Sequence, residues 1–469
     1  MLQAAAGVGG YEIERSLRFN SADSAYLNRT PASTGNRRTY SHSFWLKRGD
    51  ISRLQWVFSV RQAAGSSNFF YDGILYGDDT FSVQLRDGSG NEVGNIRTTQ
   101  VFRDVSAWYH FLVVIDTTQA TSSNRMKLYV NGSQVTAFGT ATYPTQNFDS
   151  GANVSTYPFF HGNFVSSPVS STYNYSGYLA DIHFIDGSAL TPSSFGENDT
   201  DTGVWKPKAY TGSYGTNGFY LKFADNSGTT STTLGKDSSS NGNNWTPNNF
   251  SVTAGAGNDS LVDTPTPYGT DTGAGGQVRG NYATMNPLQT SSTYVTFANG
   301  NLTTTDTTTP GSYRSAYSTI FANSGKYYFE SLVTTIVIPA FGTIGVASPP
   351  PQFDMYIEQT LTGYQGYLYA ADGTKATNDT YTAFGNSFTS GDIISVALDI
   401  DSGKVWFAKN GVWQASGDPA TGANPAFNIV TGRSYGFAVG NGSSSSSVQH
   451  DCNFGQRPWA YTAPSGFVS

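Results

Sequence analysis

The clearest pattern of apolar and polar positions lies between residues 391 and 413. Apolar residues alternate with small or polar ones from Ile394 to Ile400, which is the period of a half-buried β-strand. A second run of this kind ends at Asn410 and Gly411, a pair that suits a type I′ hairpin turn because both residues tolerate positive φ. The pattern therefore predicts a three-stranded meander.

The middle strand of this meander contains two adjacent aromatic residues, Trp406 and Phe407. Neighbouring side chains in a strand point to opposite faces, so we expect at least one of the two rings to pack into a core. Similar strand patterns recur along the chain, and no long segment has apolar residues at helical spacing. Aromatic residues make up 14% and charged residues only 13%, as in proteins with many short strands and turns. The predicted fold class is all-β.

The distribution of these runs predicts two β-sandwiches joined by a Gly/Ser/Thr/Asn-rich linker. Residues 1–10 form an N-terminal arm, and residues 11–250 form the first sandwich with an extended return segment. Residues 251–290 lack alternating apolar positions and are predicted to be the linker. Residues 291–469 form the second sandwich, which we expect to fold independently of the first.

The first predicted sandwich contains four sequence blocks that occur together in a known family. The third is the most specific, a Trp-x-His strand followed by a strand that ends in Leu-Tyr-Val-Asn-Gly. In order, the blocks are SLRFNSADSAYLNRT, SHSFWLKR, WYHFLVVIDTT with RMKLYVNGSQV, and GYLADIHFIDGSALTPSSFG. This series resembles the laminin G-like or concanavalin A-like lectin pattern over residues 11–200, which implies a jelly-roll sandwich.

The second predicted sandwich resembles the SPRY domain along nearly its whole length. The resemblance rests on the meander at 391–413, on YGFAVGN at 435–441 and on NFGQRPWAY at 453–461. It implies an all-β sandwich built for binding, and so points to recognition and away from catalysis.

Net charge, apolar run lengths and cysteine content limit the classes of ligand and the cellular compartments that suit this protein. The net charge is −7 with no run of Lys or Arg, so the basic surface that nucleic-acid binding needs is missing. No stretch approaches the roughly 20 apolar residues of a membrane span, and residues 1–10 do not resemble a secretory signal.

Cys452 is the only cysteine, so no intrachain disulfide forms. An adhesive-looking chain with these properties suggests assembly inside a cell and later release, as in virus particles.

Residues for catalysis or metal binding do not form a recognisable pattern. Glycosidases need two carboxyl groups about 5–10 Å apart, and no Glu-x-Asp-x-Glu strand arrangement is present. The histidines lack metal-ligand spacing and are expected to be structural. Asp225 and Asp237 lie in loops that could offer oxygen ligands to calcium, but turn capping is the favoured interpretation. We therefore expect no enzyme activity, no cofactor and no metal.

The loop from Tyr157 to Tyr175 is dense in aromatic and amide side chains. Its phenylalanines are expected to pack over the open end of the sandwich. Tyr173, Asn174 and Tyr175 are the candidate ligand-binding residues, because Tyr rings offer a flat face to sugar C–H groups and a hydroxyl for hydrogen bonds.

The combination resembles structural or adhesion proteins of tailed bacteriophages. The leading expectation is a non-enzymatic virion surface protein, a tail or capsid fibre that is assembled in the host cytoplasm, most plausibly as a homotrimer. Its partners would be host-surface glycan or a neighbouring virion protein, without nucleic-acid binding or membrane insertion. One alternative is an architectural decoration or connector protein with no host ligand. Another is a polysaccharide depolymerase.

Overall fold

The computed structural model describes residues 11–62, 69–163, 173–266, 279–289, 294–306, 314–337, 342–350, 355–441 and 447–468. Across these residues the chain is all-β and contains no α-helix, so the predicted fold class is confirmed. Short 3₁₀ turns occur at Ser122–Asn124, Pro192–Ser194 and Gln414–Ser416. No helix in these ranges is long and apolar enough to cross a membrane.

The N-terminal sandwich and the segment that follows it supply the first group of strands. They are β1 (Ser16–Phe19), β2 (Tyr26–Arg29), β3 (Thr39–Arg48), β4 (Gln55–Arg61), β5 (Phe69–Leu75), β6 (Thr80–Arg86), β7 (Glu92–Val101), β8 (Trp108–Asp116), β9 (Met126–Val130), β10 (Ser133–Gln134), β11 (Phe138–Thr142), β12 (Phe159–His161), β13 (Gly177–Asp186), β14 (Gly196–Asn198), β15 (Trp205–Pro207), β16 (Phe219–Leu221), β17 (Thr246–Asn248) and β18 (Ser260–Leu261).

These strands form two packed antiparallel sheets. The first sheet has the order β10-β9-β8-β3-β13-β1-β18, with β16 also paired to β13. The second sheet has the order β11-β7-β6-β5-β4-β12-β2-β17, and β14 pairs with β15 in a separate ribbon. Alternation sends Phe44 and Phe111 of the first sheet, and Phe58 and Tyr71 of the second, into a shared core.

The C-terminal sandwich has the same two-layer plan. Its strands are β19 (Val295–Ala298), β20 (Thr303–Asp306), β21 (Arg314–Tyr317), β22 (Lys326–Ile336), β23 (Gly342–Ala347), β24 (Gly366–Ala370), β25 (Thr374–Thr377), β26 (Thr380–Ala383), β27 (Ile393–Asp399), β28 (Lys404–Lys409), β29 (Val412–Trp413), β30 (Phe427–Asn428), β31 (Gly436–Asn441) and β32 (Val448–Asn453). The third sheet has the order β19-β20-β32-β22-β27-β28-β29 with β30 on β28, and the fourth is β21-β31-β23-β24-β25-β26.

The predicted meander is present as β27, β28 and β29. Asn410 and Gly411 have φ values of 47° and 78°, the two positive values that a type I′ turn requires. Phe407 lies in the core between the third and fourth sheets, as expected. Trp406 is equally buried on the opposite face, where Phe467 and Ala463 of the chain's last residues cover it.

The segment predicted as a linker is tightly packed where the structure describes it. Strand β18 pairs with β1 and so extends the first sheet. Asp263 follows this strand and accepts a 2.8 Å hydrogen bond from the Lys47 ammonium group of β3 and a 3.0 Å bond from the Trp108 indole. Lys47 also donates to the Asn281 side chain and the Tyr282 carbonyl, at 2.9 and 2.8 Å. The domain boundary stays a prediction, but the described parts of this segment are not a free connector.

Further contacts join the two sandwiches directly. The Tyr178 hydroxyl of β13 donates to the Gly300 carbonyl at 2.6 Å, and the Arg18 guanidinium of β1 donates to the Asn299 carbonyl at 3.3 Å. Trp45, Trp108 and Tyr178 belong to the same apolar cluster as the C-terminal core. The outer face of the first sheet is therefore covered at these three residues.

Candidate functional site

The three residues predicted to bind ligand differ sharply in exposure. Tyr173 is 37% exposed, and its ring meets Trp56 edge-on at 5.6 Å between centroids. Asn174 is fully buried beside Trp56, with which it forms a β-bridge. Tyr175 is fully buried, and its hydroxyl donates to the Lys47 carbonyl at 2.7 Å. Tyr175 is thus packed in the core, because its hydroxyl faces the backbone and not the surface. Its role as a ligand contact stays a prediction.

The phenylalanines of the same loop fit the packing interpretation where they are described. Phe159 and Phe160 are 6% and 4% exposed, and Phe159 contacts the buried ring of Trp245. Phe164, also expected to pack, lies outside the described residues.

Polar residues gather on the outer face of the second sheet, beside Tyr173. Asp72 of β5 lies opposite Ser59 of β4 in the strand register. The Ser59 hydroxyl donates to the Asn163 carbonyl at 3.1 Å. We call Trp56, Ser59, Asp72, Asn163 and Asn174 the outer-face cluster.

Alternation along the strands places the Ser59 and Asp72 side chains on one face. Tyr71, on β5 immediately before Asp72, points into the core, so Asp72 points away from it. The backbone N–H of Gly162 donates to the Val57 carbonyl, which brings Asn163 next to Trp56. The Asn174 carbonyl accepts a 2.9 Å hydrogen bond from the Arg53 guanidinium, which fixes the backbone on the other side of Trp56.

Three members of the outer-face cluster have side-chain polar atoms without hydrogen-bond partners. Both carboxylate oxygens of Asp72 and both amide atoms of Asn163 and of Asn174 are buried, and none of them makes a hydrogen bond. All three side chains belong to residues that are 0% exposed. A buried polar group left unsatisfied costs about 1–3 kcal/mol, so such a concentration needs a physical explanation.

The electrostatics of the outer-face cluster centre on Asp72. Burial raises the pKa of its carboxyl group to about 7, while the charges of Arg61 and Arg86 oppose that rise. The carboxyl group therefore stays protonated to a higher pH than an exposed aspartate does. A protonated carboxyl group both donates and accepts hydrogen bonds, whereas the carboxylate only accepts them.

Sequence reasoning named Tyr173 and Asn174 as candidates but did not name Asp72, Ser59 and Asn163. A signal for Asp72 was present, since it is the one charged residue in the otherwise apolar run FFYDGIL of β5. Asn163 and Ser59 carry no comparable signal, because isolated Asn and Ser residues are common in loops and strands throughout this chain.

The buried His110 pairs with Ser43, a combination that catalytic sites also use. The Ser43 hydroxyl lies 2.8 Å from Nε2 of His110, and the other ring nitrogen of His110 accepts from the Trp205 indole at 3.1 Å. Burial lowers the pKa of His110 to about 3, so the ring is a weak base. Ser43 is 1% exposed and His110 is 0% exposed, which agrees with a structural role for this pair.

The loops considered for calcium use their oxygens in turns. The Asp237 carboxylate accepts from the backbone N–H groups of Tyr220, Ser239 and Asn243, at 2.8–2.9 Å. Asp225 caps Ser227 through both its backbone N–H and its hydroxyl. Turn capping, the favoured interpretation, therefore accounts for these side chains.

Comparison with known families assigns both sandwiches. Residues 20–194 match the family model of the concanavalin A-like lectin/glucanases superfamily, and residues 326–441 match that of the SPRY domain. The chain carries a lectin-like domain followed by a SPRY domain. The outer-face cluster lies in the lectin-like domain, within the matched residues.

Solved structures are similar to parts of the chain. The SPRY domain of human HERC1 is 22% identical, with 36% of this chain and 96% of that chain covered and a TM-score of 0.28. The native heptameric SAP-like pentraxin from Limulus polyphemus is 17% identical, with 39% and 80% covered and a TM-score of 0.30. The domain assignment rests on the family matches.

Proposed function

We propose that this chain is a non-enzymatic recognition protein of a virion surface, with its lectin-like domain binding host-surface glycan. The observation that carries the proposal is the outer-face cluster, where buried polar side chains without partners adjoin the exposed ring of Tyr173. Carbohydrate sites combine aromatic faces with a few placed polar groups. The outer-face cluster and Tyr173 together supply both.

The virion setting draws support from the composition of the chain. The charged fraction is 13% and the net charge is −7, which disfavour adhesion driven by charge alone. The single cysteine, Cys452, is buried, so the fold does not depend on a disulfide and suits assembly in a reducing compartment. A tailed phage assembles its fibre and decoration proteins in such a compartment.

Two experiments test the proposed location in a virion. Density or antibody labelling for this chain in intact phage particles would support it, and the mass of the native assembly would distinguish the expected homotrimer from a monomer. A stable monomer that is absent from particles would contradict the proposal.

The absence of catalysis is part of the proposal and has its own test. In this proposal the outer-face cluster binds glycan, and Asp72 is the one carboxyl group in that cluster, so the cluster lacks the pair of carboxyl groups that hydrolysis needs. We expect no release of reducing ends from purified host polysaccharide. Release that disappears on replacing one Asp or Glu would establish the depolymerase alternative.

The junction between the domains favours a second candidate, an architectural connector without a host ligand. Lys47 and Asp263 are both 0% exposed in their side chains and hold the predicted linker against the lectin-like domain. A connector needs such a fixed orientation between its two parts. Burial of Tyr173 between subunits in the assembled particle would favour this second candidate function.

A further inference from the structure

An amine, a carboxyl group and a primary amide meet where the predicted linker packs against the lectin-like domain. Nζ of Lys47, on β3, donates hydrogen bonds to Oδ2 of Asp263 at 2.8 Å and to Oδ1 of Asn281 at 2.9 Å. Its third hydrogen bond goes to the Tyr282 carbonyl at 2.8 Å, so the amine is held in one position. The side chains of Lys47 and Asp263 are 0% exposed. These three groups are the components of an amide-transfer reaction.

The Asn281 side chain is oriented as the electrophile. Its amide nitrogen donates to the Ser106 carbonyl at 2.7 Å, and its oxygen therefore faces Lys47. The amide carbon Cγ lies one C=O bond of about 1.23 Å from that oxygen, so Nζ is within about 4.1 Å of Cγ. Rotation about the Cε–Nζ bond turns the lone pair of the neutral amine toward Cγ. Holding two reacting groups this close replaces a bimolecular encounter by a step within one molecule.

Asp263 is placed to take the proton that makes the Lys47 amine nucleophilic. One proton transfer converts this buried ion pair into a neutral pair, and a water-free setting disfavours the charged form of each group. Burial raises the pKa of Asp263, while the charge of Lys47 opposes that rise. The Trp108 indole donates to Oδ1 of Asp263 at 3.0 Å and leaves Oδ2 directed at Lys47. A nucleophile thus lies beside a base that a third group orients.

We infer that Lys47 and Asn281 form an intramolecular isopeptide bond, with Asp263 as the catalytic base. The Lys47 ammonium group gives one proton to Asp263, and the neutral amine attacks Cγ of Asn281. The Nζ–Cγ bond forms and the Cγ–Nδ2 bond breaks. The leaving nitrogen takes one proton from Nζ and departs as ammonia, while Asp263 keeps the proton that it received. The reaction needs no oxidant or other reactant, and it leaves no unpaired charge in the junction.

The bond cross-links two segments that are 234 residues apart in the sequence. Cys452 is the only cysteine, so a disulfide within one chain cannot provide such a cross-link. An isopeptide bond forms equally well in a reducing compartment, where disulfides do not persist. This inference goes beyond the proposed function, because it holds whether or not the lectin-like domain binds glycan.

Mass spectrometry of the full-length protein tests the inference. The folded wild type should be lighter than its sequence mass by one ammonia molecule. Trypsin should not cut after the modified Lys47, so peptides 39–48 and 280–314 should appear as one branched species. In guanidinium chloride, the cross-linked chain should also elute later from a size-exclusion column than a chain without the bond, because the closed loop keeps it compact.

Two variants separate the reacting groups from the base. Asn281→Ala preserves the buried pair of Lys47 and Asp263, so it should fold, have its full sequence mass and give two separate peptides. Asp263→Ala preserves both reacting groups and should also lack the bond, because the proton acceptor is missing. If Asp263→Ala does not fold, the wild type and Asn281→Ala still decide whether the bond exists.

Asn286→Ala is the matched control. Asn286 belongs to the same segment, but its side-chain oxygen accepts from the backbone N–H of Leu288, so this variant should form the bond like the wild type. A folded wild type with its full sequence mass and two separate peptides would overturn the inference. Loss of ammonia that persists in Asn281→Ala would also overturn it, since Asn-Gly pairs elsewhere in the chain can lose ammonia by cyclisation. A branched peptide in folded Asp263→Ala would contradict the role of Asp263.

Discussion

Side chains of the same residue type differ in burial in this protein. Some contact solvent, and others pack in the core and stabilise the fold. Tyr173 and Tyr175 are two residues apart in an aromatic loop, yet one is 37% exposed and the other 0%. Their sequence context does not distinguish them. The difference arises because the Tyr175 hydroxyl reaches the backbone of β3, a contact across 128 residues of chain.

Substitutions at these two tyrosines should therefore separate stability from binding. Tyr175→Phe removes a buried hydrogen bond and leaves the Lys47 carbonyl without that donor, so we expect a loss of about 1–3 kcal/mol in unfolding free energy. Tyr173→Phe, the matched control at an exposed site, should change it by less than about 0.5 kcal/mol. Urea unfolding of both variants measures this, and equal effects would contradict the assignment of Tyr175 to the core.

The Asp72 carboxyl group should make stability depend on pH. Its pKa rises from 3.8 in an exposed setting to about 7 in the fold. The folded state therefore holds its proton more tightly, and the stability that this provides at low pH is lost as pH rises through about 7. At about 1.36 kcal/mol per pKa unit, this loss reaches up to about 4 kcal/mol.

The comparison of wild type with Asp72→Asn isolates that contribution. Buried histidines act in the opposite direction, since burial lowers the pKa of His110 and of His161 to about 3, and their stabilisation is lost as pH falls below about 6.5. The difference in unfolding free energy between the two proteins, followed by urea titration, should widen in favour of the variant from acid to alkaline pH. A difference independent of pH would contradict the raised pKa.

At the level of secondary-structure elements, local sequence patterns predicted turns and strands correctly. Contacts between segments far apart in the sequence could not be predicted in this way. The Asn410–Gly411 turn and its flanking strands were predictable because turn chemistry and alternation are both local. The covering of Trp406 was not, because the segment around Phe467 returns across the third sheet from the far end of the sequence. The polar sequence of residues 251–266 likewise predicted a linker, because no local sequence pattern shows that Asp263 contacts Lys47, 216 residues away.

Both rings of the middle strand of the meander should therefore matter for stability. Phe407 packs in the core, and Trp406 packs under the last residues while its indole N–H donates to the Ala423 carbonyl at 2.7 Å. Truncation of either ring to Ala should cost about 3–5 kcal/mol. The exposed Val412, at 64%, provides a control in Val412→Ala, which should unfold like the wild type. A near-wild-type midpoint for Trp406→Ala would show that the outer face is not covered.

At the scale of the whole molecule, buried polar contacts hold the predicted linker segment against the lectin-like domain. The Lys47–Asp263 pair has no side-chain exposure, and the Arg18–Asp259 pair has 1% and 4%. Breaking a buried ion pair by removing one partner is strongly destabilising, because the other charge is left uncompensated. The hydrogen bond from the Tyr178 hydroxyl to the Gly300 carbonyl adds a contact to the C-terminal sandwich.

This junction predicts coupled unfolding of the two domains. Lys47→Met should lower stability by about 3–5 kcal/mol, and the additional change Asp263→Asn should restore part of the loss. Calorimetry of the full chain measures both effects. Two well-separated transitions in the wild type, with the upper one unaffected by Lys47→Met, would show that the domains are energetically independent.

Assembly should determine how strongly the protein attaches to cells. A shallow sugar site recovers little beyond the cost of association, so a single copy should bind weakly. Repetition on a symmetric homotrimer makes later contacts intramolecular and raises avidity by about 10²–10⁴. Monomeric and assembled forms, compared on host cells, should differ by that factor, and equal binding would contradict multivalent attachment.

The central claim is that the outer face of the second sheet recognises glycan. The most direct test measures binding of the full, assembled chain to immobilised host-envelope polysaccharide. It compares the wild type, Tyr173→Ala and Val430→Ala. Val430→Ala is the control, because Val430 is 45% exposed and lies in the SPRY domain. The account predicts saturable wild-type binding, unchanged in the control and at least about tenfold weaker in Tyr173→Ala, because the lost ring contributes up to about 1.5 kcal/mol at each site. A folded wild-type protein that binds no envelope polysaccharide, or a Tyr173→Ala variant that binds as well as the control, would contradict it.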